Sequence, residues 1–319
     1  MSHRRSRTRL RGVLSLWTRT PMFCIERGPL LVQTLAVCLA SQAFTETEFV
    51  TDRMGAQIAE RLGWEFDRVD TVLEHWPTAG LTHIWALGKL VACSIQKDPF
   101  VQFDGDVLLF RPLPERLTRS RLIAQSPDFP HYYTSAEMRR TFDLAGLPLG
   151  ANAYNGGLLG GGDVALVRAY AWAGLEAAAK LRDHEISGTV ASMAIEQYQL
   201  GVFAERTGVP VSTLLPLRPT HDEVADASYA HLQGGSKRDP HWVARAEVWL
   251  AREFPTHYER FLEMWPSLVA LTAPGGHEFH SSSPGSAPLG GELLHHLQEP
   301  GAPRHADLAV DARSAAARR

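Results

Sequence analysis

The sequence predicts an α/β fold with a mainly parallel central sheet and helices on both faces. Over the first hundred residues, short apolar runs alternate with helical stretches, which is the pattern of repeated β-α units. The chain has 319 residues, of which 45% are hydrophobic and 21% charged, enough for one large core. It lacks short repeats and sustained heptads, which excludes a solenoid, a collagen-like chain and a coiled coil.

The first half of the chain justifies this fold element by element. Pro29 stands where helices accept proline, and Gly63 is the residue type that ends them. Predicted strands cover residues 13–17, 48–50, 64–69 and 99–103, and predicted helices cover residues 29–44, 55–62 and 81–93. Asp52 and the Asp104/Asp106 pair follow predicted strands, at the edge of the sheet where ligands of such folds bind.

The second half is less regular. Residues 113–150 are predicted to form loops and short helices that expose three aromatic side chains, Phe129, Tyr132 and Tyr133. A glycine-dense strand and turn is predicted at 156–163, helices at 165–181 and 191–201, a strand at 209–215, and amphipathic helices at 241–271.

These patterns predict one domain over residues 11–273, with residues 241–273 packing on it as C-terminal helices. Residues 1–10, which are basic, and residues 274–319, rich in Gly, Pro, Ser, His and Ala, are predicted to be disordered. The apolar run 30–44 is too short and polar to span a membrane, and cleavage after it as an export signal would delete the first strand. We therefore predict a cytoplasmic protein without a transmembrane segment.

The net charge limits the class of binding partner, and the cysteine spacing limits the kind of structural site. The chain carries 32 Lys and Arg and 35 Asp and Glu, a net charge of −3, which argues against a nucleic-acid partner but leaves a small anionic ligand open. Cys24, Cys38 and Cys93 are widely spaced and form no Cys-x-x-Cys pair, so we expect reduced thiols rather than a disulfide framework or a zinc site.

Asp104-Gly105-Asp106 is the first motif that could carry chemistry. Two carboxylates at the end of an apolar strand can bind Mg²⁺ or Mn²⁺, with a diphosphate completing the ligand shell. The glycine lets the backbone turn and lets a ligand come close. The alternative is a solvated turn that caps the strand.

His231-x-x-Gly234-x-x-Lys237 is the second such motif. A neutral imidazole can be the third protein ligand of the metal, while the lysine reaches the diphosphate and the glycine permits close passage of the backbone. The alternative is a polar surface loop.

Two smaller motifs lie between them. Asn155-Gly156 places an amide next to a glycine, which suits a hydroxyl-rich ligand, and Glu196-Gln197 places an acid beside an amide on a predicted helix. The alternatives are an ordinary turn for the first and exposed polar residues of a helix for the second.

Taken in order, the four motifs resemble those of nucleotide-sugar-dependent glycosyltransferases of the GT-A fold, most closely the glycogenin-like and lipopolysaccharide galactosyltransferase-like branch. In that family an apolar run ends in Asp-x-Asp, as residues 101–106 do here. Phe-Asn-x-Gly is similar to residues 154–157, Asp-Gln to 196–197, and His-x-x-Gly-x-x-Lys to 231–237. The resemblance covers residues 12–245. It departs at Glu196, which replaces an Asp, at the missing Pro-Trp after the lysine, and at the first strand.

The resemblance implies a role for each matching residue. It implies that the metal is Mn²⁺ or Mg²⁺ and that its ligands are Asp104, Asp106 and His231. It implies that the donor nucleotide sugar is bound by Asp104, Lys89, Asn155, Gly156, Gly234 and Lys237. It implies that the catalytic residues facing the donor sugar are Glu196 and Gln197.

The expected function is therefore metal-dependent transfer of a sugar from a nucleoside diphosphate, with UDP as the expected carrier, to an acceptor that the sequence does not identify. One alternative is a scaffold of the same fold that binds a nucleotide sugar without transferring it. A haloacid-dehalogenase-like phosphatase also uses Asp-x-Asp, but there the motif opens the first strand and continues Gly-Thr, whereas Val107 follows here. A globular protein with chance motifs is the remaining alternative.

Overall fold

The computed structural model describes residues 10–76 and 80–272. The predicted disorder of residues 1–9 and 274–319 lies outside the described residues. At residue 10 that prediction is wrong, because the side chain of Leu10 is buried at the start of the sheet and joins the hydrophobic core.

The strands and helices follow one another in the order that the alternating pattern predicts. The strands are β1 (Arg11–Leu16), β2 (Thr47–Thr51), β3 (Arg68–Asp70), β4 (Phe100–Phe103), β5 (Val107–Leu109), β6 (Ile123–Pro127), β7 (Tyr154–Gly161), β8 (Ser212–Thr213) and β9 (Tyr229–His231). The helices are α1 (Arg27–Ala43), α2 (Arg53–Leu62), α3 (Leu87–Ser94), α4 (Glu115–Thr118), α5 (Ala136–Ala145), α6 (Val164–Lys180), α7 (Gly188–Ser192), α8 (Gln199–Thr207), α9 (His221–Ala227), α10 (Pro240–Glu253) and α11 (Pro255–Val269). A π-helical segment, Met193–Tyr198, joins α7 to α8.

Seven of these strands form one sheet in the order β3-β2-β1-β4-β7-β6-β8. Strands β3, β2, β1 and β4 are parallel to one another, β7 is antiparallel to both β4 and β6, and β8 is parallel to β6. This confirms the predicted α/β fold with a mainly parallel sheet. Strands β5 and β9 pair separately as a small antiparallel ribbon.

Helices cover both faces of the sheet because its central strands are apolar on both sides. Leu14 of β1 and Phe103 of β4 belong to the core on one face, and Val13 and Phe100 belong to the core on the other. Helices α1, α10 and α11 supply buried side chains to the first core, and α3 and α6 to the second. Among the described helices, none is long and apolar enough to cross a membrane.

Several predicted elements change in length or kind. The strand predicted at 64–69 is confined to β3, because Trp64 and Phe66 turn their rings into the core against Phe49. The helix predicted from residue 81 begins at α3, and the strand predicted at 209–215 shortens to β8. Part of the stretch predicted as loops and short helices is the buried strand β6. Tyr133 was expected to be exposed, but it is buried, stacked on Tyr198.

The prediction of unpaired cysteines is confirmed, since Cys24, Cys38 and Cys93 are all free. Cys38 and Cys93 are buried in the two cores as small apolar side chains. Burial raises the pKa of the Cys38 thiol to about 12, which keeps it protonated at neutral pH.

Candidate metal centre

The sheet topology places Asp104 at the carboxyl end of β4, beside the carboxyl end of β1. Strand order runs β3-β2-β1 and then jumps to β4, so the crevice between β1 and β4 is a topological switch point, where open α/β sheets bind ligands. The chain turns immediately after β4, with the amide of Val107 donating to the carbonyl of Asp104 at 3.0 Å. This turn contains both carboxylates of the Asp-Gly-Asp motif.

The β5–β9 ribbon brings His231 to the same turn from 125 residues along the chain. Val107 pairs with His231 in the ribbon, and the amide of Leu232 donates to the carbonyl of Asp106 at 2.9 Å. Each strand of the ribbon therefore carries a candidate ligand at the same end of the ribbon, and the short antiparallel pairing holds them together.

Asp104, Asp106 and His231 converge into one potential metal site. One ligand atom from each lies within 4.8 Å of the others. Nε2 of His231 is 3.1 Å from Oδ1 of Asp106 and 3.9 Å from Oδ2 of Asp104. Two carboxylates and one imidazole suit Mn²⁺, and the carboxylates suit Mg²⁺. The residues selected from the sequence thus lie close enough together to hold a divalent cation.

Gln125, which the sequence motifs do not include, orients the imidazole. Its Oε1 atom lies 2.7 Å from Nδ1 of His231 and accepts a hydrogen bond from the hydroxyl of Tyr229 at 2.5 Å. With the ring proton on Nδ1, the lone pair of Nε2 faces the two carboxylates, as metal-ligating histidines require. A glutamine inside the buried strand β6 is the signal that could have revealed this role.

Lys89 lies at the buried side of the site. Its Nζ atom is 2.7 Å from Oδ1 of Asp104, and it donates to Oε1 of Glu196 at 2.6 Å and to the carbonyl of Gly156 at 2.9 Å. Burial favours the neutral amine, but the two carboxylates outweigh it and raise the pKa of Lys89. Three other residues selected from the sequence therefore meet around the positive charge of Lys89.

Asp106 interacts with Lys237 on the open side. Nζ of Lys237 donates to Oδ2 of Asp106 at 2.9 Å. Burial would raise the pKa of Asp106, but the neighbouring His231 and the Lys237 ammonium hold it well below its usual range. Lys237 lies on a short 3-10 helix, Gly234–Arg238, and Gly234 begins it with φ of +57°, a conformation that favours glycine.

Glu196 and Gln197 lie on the π-helical segment, whose wider turn is a frequent feature of functional sites. Glu196 is 1% exposed, and its Oε2 atom is enclosed without a hydrogen-bond partner. Burial raises the pKa of Glu196 in spite of Lys89 beside it. Gln197 is half-buried and accepts from the hydroxyl of Tyr133 at 2.8 Å. In this conformation Glu196 faces the interior, and Gln197 is the more accessible of the two.

Asn155 and the two glycines after it lie on β7, next to this buried charge. Oδ1 of Asn155 accepts from the amide of Gly157 at 2.9 Å. A Cβ atom on Gly156 would come within 1.9 Å of Glu196, and one on Gly157 within 2.1 Å of Gln125. These glycines are needed because the side chains of Glu196 and Gln125 occupy the space of a Cβ atom. The sequence pattern instead predicts that they allow close approach of a ligand.

Asp52 does not join the site. Its carboxylate accepts from the backbone and hydroxyl of Thr18 at 2.8–2.9 Å and from the amide of Gly55 at 2.9 Å, which caps α2. Helix capping therefore explains why Asp52 follows a strand. This residue stabilises the start of α2 and is not one of the candidate ligands.

Residues 30–264 match the model of a family of unknown function, DUF6734. The chain belongs to this family. The DUF6734 match begins inside α1 and ends inside α11, so it contains every residue of the candidate site described above. A search of curated proteins finds no match.

Proposed function

We propose that this chain is a metal-dependent glycosyltransferase that takes a sugar from a nucleoside diphosphate. The observation that carries the proposal is the convergence of Asp104, Asp106 and His231 within 4.8 Å at the switch point of the sheet. The motif resemblance to GT-A glycosyltransferases supports the same activity, and the described fold is compatible with that family.

The charges around the site suit a diphosphate. Lys237 is 33% exposed and lies on the open side of Asp106, so its ammonium can meet a phosphate oxygen without leaving the site. When bound, a divalent cation would neutralise the negative charge that develops on the diphosphate as the sugar leaves. Lys237 would stabilise the same charge as a preorganised donor.

The two candidate catalytic residues take different parts in this proposal. Gln197 would hydrogen-bond the sugar, because its amide is partly accessible. Glu196 is enclosed and paired with Lys89, so it would act by keeping that lysine charged and beside Asp104. The transfer breaks the bond between the anomeric carbon and the diphosphate oxygen and forms one to an acceptor oxygen.

A second candidate function is binding of a nucleotide sugar without transfer. The enclosure of Glu196 favours it, since a buried, lysine-paired carboxylate cannot contact a sugar in this conformation. The two functions share the metal and diphosphate site and differ in turnover.

Calorimetric titration of UDP and a panel of nucleotide sugars, with and without Mn²⁺, tests the proposal. We expect metal-dependent binding that Asp106→Ala abolishes and Asp222→Asn preserves, since the Asp222 side chain is 98% exposed and its ion pair is with His221. Binding with release of free sugar or transfer to an acceptor identifies a transferase, and binding without turnover identifies a scaffold. If folded protein binds no nucleotide, the proposal is wrong. Metal-dependent hydrolysis of an aryl phosphate would then point to a phosphatase.

A further inference from the structure

One buried polar side chain near the metal centre belongs to none of the motifs. Gln33 lies in α1 among fully buried apolar residues such as Leu31 and Leu35, and it is only 8% exposed. An amide in such surroundings costs stability unless it is hydrogen-bonded. Across residues 10–76 and 80–272, no group forms a hydrogen bond with this amide.

The Gln33 side chain is directed at the Asp-Gly-Asp turn. A Cβ atom on Gly105 would lie 2.9 Å from Cδ and 3.0 Å from Nε2 of Gln33. Gly105 stands between Asp104 and Asp106, so the amide packs against the backbone that carries two of the metal-ligand candidates. The amide atoms are also absent from the fully enclosed, unpartnered atoms of the described residues, which means that they keep some access to solvent.

We propose that Gln33 is a binding residue for the ribose of the nucleotide, an inference that rests on the proposed function. A carboxamide offers one acceptor and two donor hydrogens, whereas phosphate oxygens at neutral pH only accept. The metal site and Lys237 already suit the diphosphate. The two groups attached to the diphosphate, the ribose and the donor sugar, carry hydroxyls that both donate and accept. The proposed function assigns the sugar to Gln197, so the ribose is the group left for Gln33, which lies beside this site with its amide unused.

The test compares four ligands on three proteins. The ligands are uridine diphosphate, its 2′-deoxy and 3′-deoxy analogues, and pyrophosphate, each with Mn²⁺. The proteins are the wild type, Gln33→Leu, and Gln42→Leu as a matched control, because Gln42 lies exposed on the same helix. Leucine keeps the side-chain volume in place of Gln33 and removes only the amide.

We expect Gln33→Leu to lower the affinity for uridine diphosphate about three- to tenfold, which is the range for the loss of one or two neutral hydrogen bonds. Pyrophosphate affinity should not change, and the melting temperature should stay equal or rise. At least one deoxy analogue should lose affinity in the wild type and show a smaller loss in Gln33→Leu. Gln42→Leu should behave as the wild type.

The two possible failures are distinguishable. If the wild type binds uridine diphosphate but Gln33→Leu binds it equally well, or if both deoxy penalties keep their size, the role of Gln33 is overturned and the proposed function stands. If the wild type binds neither uridine diphosphate nor pyrophosphate with Mn²⁺, the proposed function fails, and the role of Gln33 fails with it.

Discussion

The sheet carries a cluster of buried charge at each end of β1 and β4, and the two clusters are built differently. At the amino end, Arg11 is 6% exposed and donates to Glu48 at 2.7 Å, to Asp98 at 2.5 Å and to Gln96 at 3.3 Å. At the carboxyl end, Asp104 and Asp106 lie together with His231. The first cluster surrounds one cation with acceptors, whereas in the second two carboxylates meet an imidazole and each also pairs with a lysine, Lys89 or Lys237.

This difference separates a structural cluster from a functional one. The Arg11 cluster links β1 to β2 and to the chain before β4. Its carboxylates are directed at the guanidinium of Arg11, so the protein itself supplies their cation. At the carboxyl end, Asp104 and Asp106 converge with the imidazole of His231, which is a set of ligand atoms that a divalent cation could share. Burial of charge is common to both ends, whereas the set of two carboxylates and one imidazole distinguishes the carboxyl end as the candidate ligand site.

The largest effect should come from breaking the amino-terminal cluster. Arg11→Met leaves the nearly buried Glu48 without its cation, and removal of one partner from a buried pair lowers the free energy of unfolding by roughly 3 kcal/mol. Urea unfolding of the two proteins measures it. A loss below about 1 kcal/mol would mean that the cluster is solvated and would remove the contrast between the two ends.

A smaller effect, confined to metal affinity, should come from Gln125→Leu. Without the Gln125 oxygen, the His231 ring is no longer held with Nε2 toward the carboxylates, so Mn²⁺ affinity should fall about 10- to 100-fold. Titration of Mn²⁺ measures it. The matched control is Gln199→Leu, since Gln199 is equally buried and its Oε1 atom has no partner. Equal Mn²⁺ affinity in both variants would contradict the orienting role.

The smallest effect should come from the exposed ion pair that secures the Lys237 turn at the carboxyl end. Arg238 donates to Glu26 at 2.6 Å, and this hydrogen bond lowers the pKa of Glu26. Because the unfolded state then binds the proton more readily, this stabilisation is present above about pH 4.3 and lost as the pH falls below it.

Glu26→Gln should therefore melt slightly below the wild type at pH 7, by the equivalent of about 0.5 kcal/mol, because both side chains are more than 40% exposed. The difference should vanish at pH 3. Melting curves at the two pH values measure it. A difference that persists at pH 3 would show that Glu26 acts through packing instead of charge.

Much of the fold follows from local pattern. The apolar runs at β1, β2 and β4 and the glycines that end α2 and α8 carry their structure in the residues themselves. The direction of β7 and the pairing of β5 with β9 do not, because they depend on contacts between distant residues. The aromatic rings of Trp64 and Phe66 illustrate this, since the alternating pattern predicts a strand there, whereas both rings pack against Phe49 and the backbone between them is irregular.

The site divides in the same way. Asp104, Asp106, His231 and Lys237 can be selected from short motifs, because metal and diphosphate chemistry restricts the residue types and their spacing. The residues that support them, such as Gln125 and Gln33, lie on other elements, so only the folded chain brings them near. The sequence does show a polar residue within an apolar run at each of these positions. That pattern indicates a supporting residue but does not identify the residues it contacts.

The ribbon has a consequence for the order in which a ribosome would complete this protein. The last strand of the main sheet, β8, ends at Thr213, whereas β9 begins at Tyr229. A nascent chain could thus assemble all seven strands of the sheet while His231 and Lys237 were still unsynthesised or inside the exit tunnel. The candidate metal site would then form in a single late step, when β9 pairs with β5. Before that step the folded sheet would lack the His231 ligand and Lys237.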